Sequence, residues 1–201
     1  MTKAILAAIP IKPFGVAKRR LSDRLDAKER SLVGRAVAAR TAEAATDAGA
    51  LVAIVTGDSG VARWARIHGY LTIDERSSNG AGLDGAAEAV VLEATRRQRP
   101  WAVVHADLPL VTPAALRTVF AIAERSTTLV PSYSGGTNVI AGTGSGFRFS
   151  YGEASFHRHF AAHPSATVVT HPELALDLDT VDDLSQALRL RSGGWLQSYV
   201  S

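Results

Sequence analysis

The chain has 201 residues, 46% of them hydrophobic and 20% charged, with a net charge of +3 and no cysteine. That length and balance describe one globular domain whose core needs no disulfide or structural metal, and they exclude disordered, fibrous and disulfide-stapled chains. Thiol nucleophiles and cysteine-ligated zinc or iron–sulfur centres go with them, which fits a cytoplasmic protein.

The charge is uneven. Residues 1–40 carry ten Lys/Arg against three Asp/Glu, a local +7 that leaves −4 for the remainder. With 6% aromatic residues and no recognisable nucleic-acid motif, the positive field is expected to meet a small polyanion such as a nucleoside triphosphate, not DNA or RNA. A helix with a basic solvated face over residues 28–40 is the plainer alternative. No apolar run approaches the ~20 residues that span a bilayer, so no membrane partner is expected.

Apolar runs of strand length alternate with helical periods. Strands are predicted at Lys3–Ile9, Leu51–Thr56, Tyr70–Ile73, Trp101–His105, Thr128–Val130, Thr167–Thr170 and Leu174–Leu178. Helices are predicted at Ser31–Ala48, Val61–His68, Leu83–Arg97, Pro113–Arg125, Ser155–Ala162 and Val181–Arg191. The Gly-rich stretch from Val130 to Phe149 breaks the pattern and can carry an antiparallel edge. The alternation implies an α/β fold, three layers in α/β/α order around a mostly parallel sheet. Residues 1–191 form a single domain in this reading, with 192–201 as a peripheral tail. Nothing in the residues decides the oligomeric state, and a homodimer stays open.

In such sheets ligands bind beyond the carboxyl ends of the strands, and four segments sit there. After the first strand, Ile9-Pro10-Ile11-Lys12-Pro13 and Ala17-Lys18-Arg19-Arg20-Leu21 deliver cations able to hold a triphosphate, or form a solvated loop. His105-Ala106-Asp107-Leu108-Pro109-Leu110 places a carboxylate suited to magnesium, or to capping a turn. In Leu176-Asp177-Leu178-Asp179-Thr180, Asp177 and Asp179 face the same way if the chain is extended, and two close carboxylates invite a divalent ion. A capping box of Thr180 with Asp183 competes with that reading but leaves Asp177 unexplained. Finally, Gly135-Gly136-Thr137-Asn138 and Tyr151-Gly152-Glu153-Ala154-Ser155-Phe156 offer backbone amides and hydroxyls to an anion, Ser155 standing where an N-cap would be. An ordinary β-turn and helix cap would read the same.

Two further patterns are weaker. Gly80-Ala81-Gly82-Leu83-Asp84-Gly85 matches G-x-G-x-x-G but sits too far from its strand for a dinucleotide fold. His159 and His163 share a helix face beside His157 but lack the Glu of a zinc-protease motif.

Taken in order, the five blocks resemble the IPVKP…AKSRL, DLPL, GGTN, FGxGSF and LDxDT motifs of the 2-phospho-L-lactate/phosphoenolpyruvate guanylyltransferases of coenzyme F-420 biosynthesis. The likeness runs from about Ile9 to Leu188. Departures are Arg19 for Ser, Ala154 for Gly, and Asp84 for Asn. The resemblance implies a nucleotidyltransferase fold like that of molybdenum-cofactor guanylyltransferases. It implies Lys12, Lys18, Arg20 and Asp84 about GTP, with Lys18 and Asp107 catalytic. It further implies magnesium on Asp107, Asp177 and Asp179, and a small phosphorylated carboxylic acid on Thr137, Gly152 and Ser155. The Ala- and Arg-rich composition, of the kind seen in high-GC bacteria, favours phosphoenolpyruvate over 2-phospho-L-lactate or 3-phospho-D-glycerate. Rival readings are another nucleotidyltransferase, acting on a molybdopterin or sugar phosphate, and a non-catalytic GTP-binding module.

Overall fold

The computed structural model describes residues 3–16, 18–78, 80 and 82–200; Ala17 and Ala81, which fall in two of the motifs above, lie outside the described residues. Strand β1 (Leu6–Pro10) pairs in parallel with β2 (Leu51–Val55) on one side and β4 (Trp101–Val104) on the other, and β2 carries β3 (Leu71–Ile73) outward. These strands read as unbroken apolar runs because helices cover both faces. Beyond β4 the order continues through β6 (Thr137–Gly142), β5 (Thr128–Pro131) and β7 (Thr167–Val168), giving β3-β2-β1-β4-β6-β5-β7.

Helices α1 (Ala27–Asp47), α2 (Ser59–Ile67) and α4 (Pro113–Ala123) cover one face, where Ala42, Trp64 and Leu116 meet Ala7, Ile9, Ile54 and Val104. Helix α3 (Gly82–Arg97) covers the other, where Ala87 and Val90 meet Leu6, Ala8, Val55 and Val103. The alternation of β1 side chains between the two clusters is the period of two expected of a strand buried on both sides. A third cluster joins Val33 and Val37 of α1 to Leu184 and Ala187 of α7 (Val181–Arg189).

Three expectations need correction. The Gly-rich stretch supplies no edge. Its strand β6 lies inside the sheet, antiparallel to both β4 and β5, and is buried along its whole length. Leu174–Leu178 is not a strand: Pro172 opens a short helix, α6 (Pro172–Ala175), and Leu178 N–H, donating to the Asp107 carbonyl at 2.9 Å, ties the extended piece after it to β4's loop. Nor is the tail peripheral. It winds as a 3₁₀ helix over Arg191–Tyr199, buries Leu196 in the third cluster, and donates from Trp195 Nε1 to the Pro109 carbonyl at 3.0 Å. Among the described residues no helix is long and apolar enough to cross a membrane.

Candidate active site

The chain leaves β1 towards β2, then returns across β1 to build β4, so strand order reverses between β1 and β4. The loops after these two strands open a cleft of about 580 Å³ there. Because β6 runs antiparallel, its first residues stand beside β4's last, and His105 N–H donates to the Asn138 carbonyl at 2.9 Å. Residues 33 positions apart in the sequence, 105 and 138, are thereby brought to one rim.

Of the predicted residues, Lys12, Lys18, Asp107, Asp177 and Asp179 line this cleft, and Thr137, Gly152 and Ser155 line it too. Arg20 and Asp84 do not. Arg20 is exposed on a 3₁₀ turn (Arg19–Leu21). Asp84 accepts a 2.7 Å hydrogen bond from Tyr151 N–H, so it fastens the loop before Gly152 to α3. The glycine motif around it has a packing cause. A Cβ at Gly85 would lie 2.2 Å from the Gly80 carbonyl oxygen, so the loop can fold onto α3 only where both residues lack side chains.

Lys18 is the hub. It sits in the left-handed region at φ 59°, with its side chain 8% exposed, and its Nζ donates to Asp107 Oδ2 at 2.7 Å and Asp179 Oδ1 at 3.1 Å. Burial by itself would lower the Lys18 pKa, but the two carboxylates outweigh it and hold the ammonium charged. Burial likewise pushes Asp107 up, and Lys18, with some help from His105, brings it below the ordinary carboxylate value. Asp107 Oδ1 is buried and meets no well-aligned donor among the described residues. Asp177 is pushed up to about 6, first by burial and then by Asp107. Leu176 and Leu178 point into the third cluster while Asp177 and Asp179 reach the cleft, so the predicted alternation holds without a strand. The capping box is present as well, with Asp183 accepting from Thr180 N–H at 2.7 Å and from Asp179 N–H at 3.0 Å.

The far wall is held by α5 (Ser155–Ala162). Ser155 is its first residue and not its cap, which is Ala154 at φ 50°. Gly152, at φ 119°, takes a conformation that side chains rarely adopt. The segment before it has no strand partner, so side chains satisfy its backbone. Arg148 N–H donates to His163 Nε2 at 2.9 Å and Ser150 N–H to His159 Nε2 at 2.8 Å, while Arg158 donates to the carbonyls of Ser150 and Tyr151. Four residues of helix rise about 6 Å and two of extended chain about 6.6 Å, which is why histidines four apart can serve alternate amides. The histidine pair is thus a substitute sheet edge.

His159 is fully buried, and that burial is the main reason its pKa falls to about 4. An unfolded histidine near 6.5 takes its proton first as pH falls, so this group stabilises the fold above about pH 6.5 and loses that contribution progressively down to about pH 4. The full span corresponds to about 3 kcal/mol. Denaturant unfolding from pH 7 to 4 is expected to show a steeper decline in the natural chain than in His159→Asn; parallel pH profiles would contradict the assignment.

Sequence reasoning missed His105 and Tyr151, which also line the cleft and whose Nε2 and hydroxyl are buried without partners among the described residues. Tyr151 stands inside a quoted motif, so a signal existed; His105 carried none beyond its place two residues before Asp107.

A switch-point cleft with a buried lysine spanning two aspartates sits on a sheet with the fold of the nucleotide-diphospho-sugar transferases. The fold matches a structure from Desulfovibrio desulfuricans G20 described as a nucleotide-diphospho-sugar transferase, with a TM-score of 0.76 over 98% of this chain and 95% of that one at 15% identity. It also matches CMP:2-keto-3-deoxy-manno-octonic acid synthetase at a TM-score of 0.55 and 12% identity, over 98% of this chain and 100% of that one. The profile described as "Guanylyl transferase CofC like" matches residues 5–199, and the chain belongs to that family. The phosphoenolpyruvate guanylyltransferase of Nocardia farcinica is 32% identical over 94% of this chain and 88% of its own length. The 2-phospho-L-lactate guanylyltransferase of Halomicrobium mukohataei is 31% identical over 93% and 90% respectively.

Proposed function

We propose that the chain transfers GMP from GTP to phosphoenolpyruvate, giving enolpyruvoyl-2-diphospho-5'-guanosine and pyrophosphate, in the cytoplasmic assembly of coenzyme F-420. The observation that carries the reading is the Lys18 ammonium bridging Asp107 and Asp179 in the cleft that Thr137 and Ser155 also line. An acceptor phosphate oxygen attacks the α-phosphorus, the bond from that phosphorus to the bridging oxygen breaks, and pyrophosphate leaves with the electron pair. A phosphomonoester with a second pKa near ~6 is mostly dianionic at neutral pH, so no general base is required. Charge is the obstacle, since a dianion must approach a triphosphate.

Lys12 and Lys18 oppose that charge from the loop after β1. Thr137, Gly152 and Ser155 hold the acceptor. A neighbouring hollow of about 530 Å³ beside Thr56, Gly57 and Glu75 shares Lys12 with the cleft, leaving room for a nucleotide next to a small acid. The acids fit magnesium: Asp107 Oδ1 has no aligned donor, and Asp177 is crowded by its carboxylate neighbours. Among the described residues no three His, Asp or Glu side chains form a cage alone, in keeping with an ion that takes one or two carboxylates and completes its shell with water and substrate phosphates. One or two carboxylates from among Asp107, Asp177 and Asp179 would hold it, and when bound it would neutralise phosphate charge and polarise the α-phosphorus.

The relatives' names divide between two acceptors, and the Ala- and Arg-rich composition favours phosphoenolpyruvate. The test is pyrophosphate release from GTP and magnesium with phosphoenolpyruvate, 2-phospho-L-lactate or 3-phospho-D-glycerate in turn. Phosphoenolpyruvate is expected to give the highest kcat/KM. A higher value for either other acid reassigns the acceptor, and no release with any of them overturns the reading.

A further inference from the structure

His159 and Thr137 stand in one hydrogen-bond chain whose directions are settled by elimination. Ser150 N–H can only donate, so His159 Nε2, 2.8 Å away, is the acceptor and bears no proton. A neutral imidazole then carries its proton on Nδ1, which lies 2.9 Å from Thr137 Oγ1. Nδ1–H donates and the threonine oxygen accepts. The hydroxyl's own proton must therefore point elsewhere; Thr137 is fully buried, so the acceptors within reach are Ser155 Oγ at 3.4 Å, the outer limit of a hydrogen bond, and an anion seated directly against it at the floor of the cleft it lines.

We propose that His159 is a positioning residue that turns the Thr137 hydroxyl proton towards the cleft, so that Thr137 meets an anionic acceptor as a donor and not as a lone pair. This rests on the reading that Thr137 faces the phosphorylated acid. Without the imidazole N–H, the hydroxyl is free to rotate and can present its oxygen to the anion, a repulsive contact. The surroundings keep the ring neutral. Burial dominates; Asp84 favours protonation, while Arg158, His163 and His105 oppose it. The rings of Phe147 and Tyr151, at 5.7 and 5.0 Å, close the pocket around it. The same histidine that pins the loop before Gly152 thus also orients a hydroxyl at the start of β6, which couples the two parts of the acceptor site.

The proposal is tested first on the natural chain without substrate. Ring ¹⁵N spectra of the histidine-labelled protein between pH 6 and 8 are expected to show His159 protonated at Nδ1 and bare at Nε2. An Nε2–H tautomer, or an imidazolium at pH 7, overturns it. Two variants then separate positioning from packing. His159→Gln keeps an oxygen near the Nε2 position for Ser150 N–H but has no donor at Nδ1; His159→Asn keeps an N–H near Nδ1. The acceptor KM is expected to rise about tenfold or more in His159→Gln, with the KM for GTP unchanged, and to be largely restored in His159→Asn. In a Thr137→Val background His159→Gln should add nothing. Equal losses for both substrates, or for both variants, overturn the proposal. If the natural chain turns over no acceptor, the proposed function fails by itself. The variants are then compared by calorimetric binding of inorganic phosphate, where an affinity in His159→Gln equal to that of the natural chain overturns the positioning role.

Discussion

Asp107→Ala is expected to abolish measurable turnover while the protein stays folded, and Asp107→Asn to lower kcat by about 10²–10³, the scale for losing one preorganised charge contact in an active site. The fold does not rest on this carboxylate. Leu108 and Leu110 anchor the loop in the core, and the backbone carbonyl of residue 107, which substitution leaves in place, takes the bond from Leu178 N–H. Lys18 retains the half-exposed Asp179, so the substitution costs stability without leaving the ammonium wholly unpaired. What is lost is Oδ1, a buried carboxylate oxygen that faces no aligned donor among the described residues. Because an amide there cannot neutralise a cation, raising magnesium should not restore the rate. Steady-state pyrophosphate release at saturating magnesium, with circular dichroism as the folding control, decides the matter. Near-natural turnover by Asp107→Asn would refute the assignment.

The parts of this site that sequence patterns revealed are those whose chemistry is local. Asp107 follows an apolar strand, Lys18 follows a strand and a Pro-containing loop, and the alternation Leu176-Asp177-Leu178-Asp179 puts the leucines in the core and the acids in the cleft with no sheet partner needed. The apolar runs of β1, β2 and β4 were legible because burial on both faces leaves no polar positions. What local patterns cannot carry is the choice of partner. Strand β6 follows two glycines and opens on Thr137 and Asn138, so it reads as an irregular edge; its antiparallel pairing with β4, far upstream, and with β5 makes it a central strand. The tail's one fully buried side chain among the described residues, Leu196, packs against α1 and α7, a long-range contact that its local sequence does not signal.

Asp84 and His159 show the same limit in the site itself. Both belong to patterns with a functional precedent, a glycine-rich nucleotide turn and a histidine pair on a helix. Their actual partners are the amides of Tyr151 and Ser150, residues on an extended segment that no strand accompanies. A sequence announces which side chains can accept a hydrogen bond. It does not announce which backbone amides will be left needing one.

Lys18→Met should inactivate the protein and also destabilise it, and the two effects respond differently to solution conditions. The Lys18–Asp107 contact carries most of the energy, since its side chains are 8% and 25% exposed, whereas Asp179 is 47% exposed and water screens its pair. Methionine keeps the length of the chain through the left-handed turn but removes the charge, leaving a buried aspartate uncompensated at a cost of about 3–5 kcal/mol. With the cation gone, the Asp107 carboxyl loses the neighbour that held its pKa down, and burial drives it up. The folded state then binds more protons than the unfolded chain, whose carboxylates titrate near ~3.9, so stability falls as pH rises through the folded values and recovers in mild acid. Magnesium should raise the melting temperature of Lys18→Met more than that of the natural chain, because the ion meets carboxylates no longer neutralised by an ammonium. Thermal unfolding of both proteins from pH 5 to 8, with and without magnesium, provides the measurement. A variant whose melting temperature tracks that of the natural chain under every condition would show that Lys18 is not what holds these acids together.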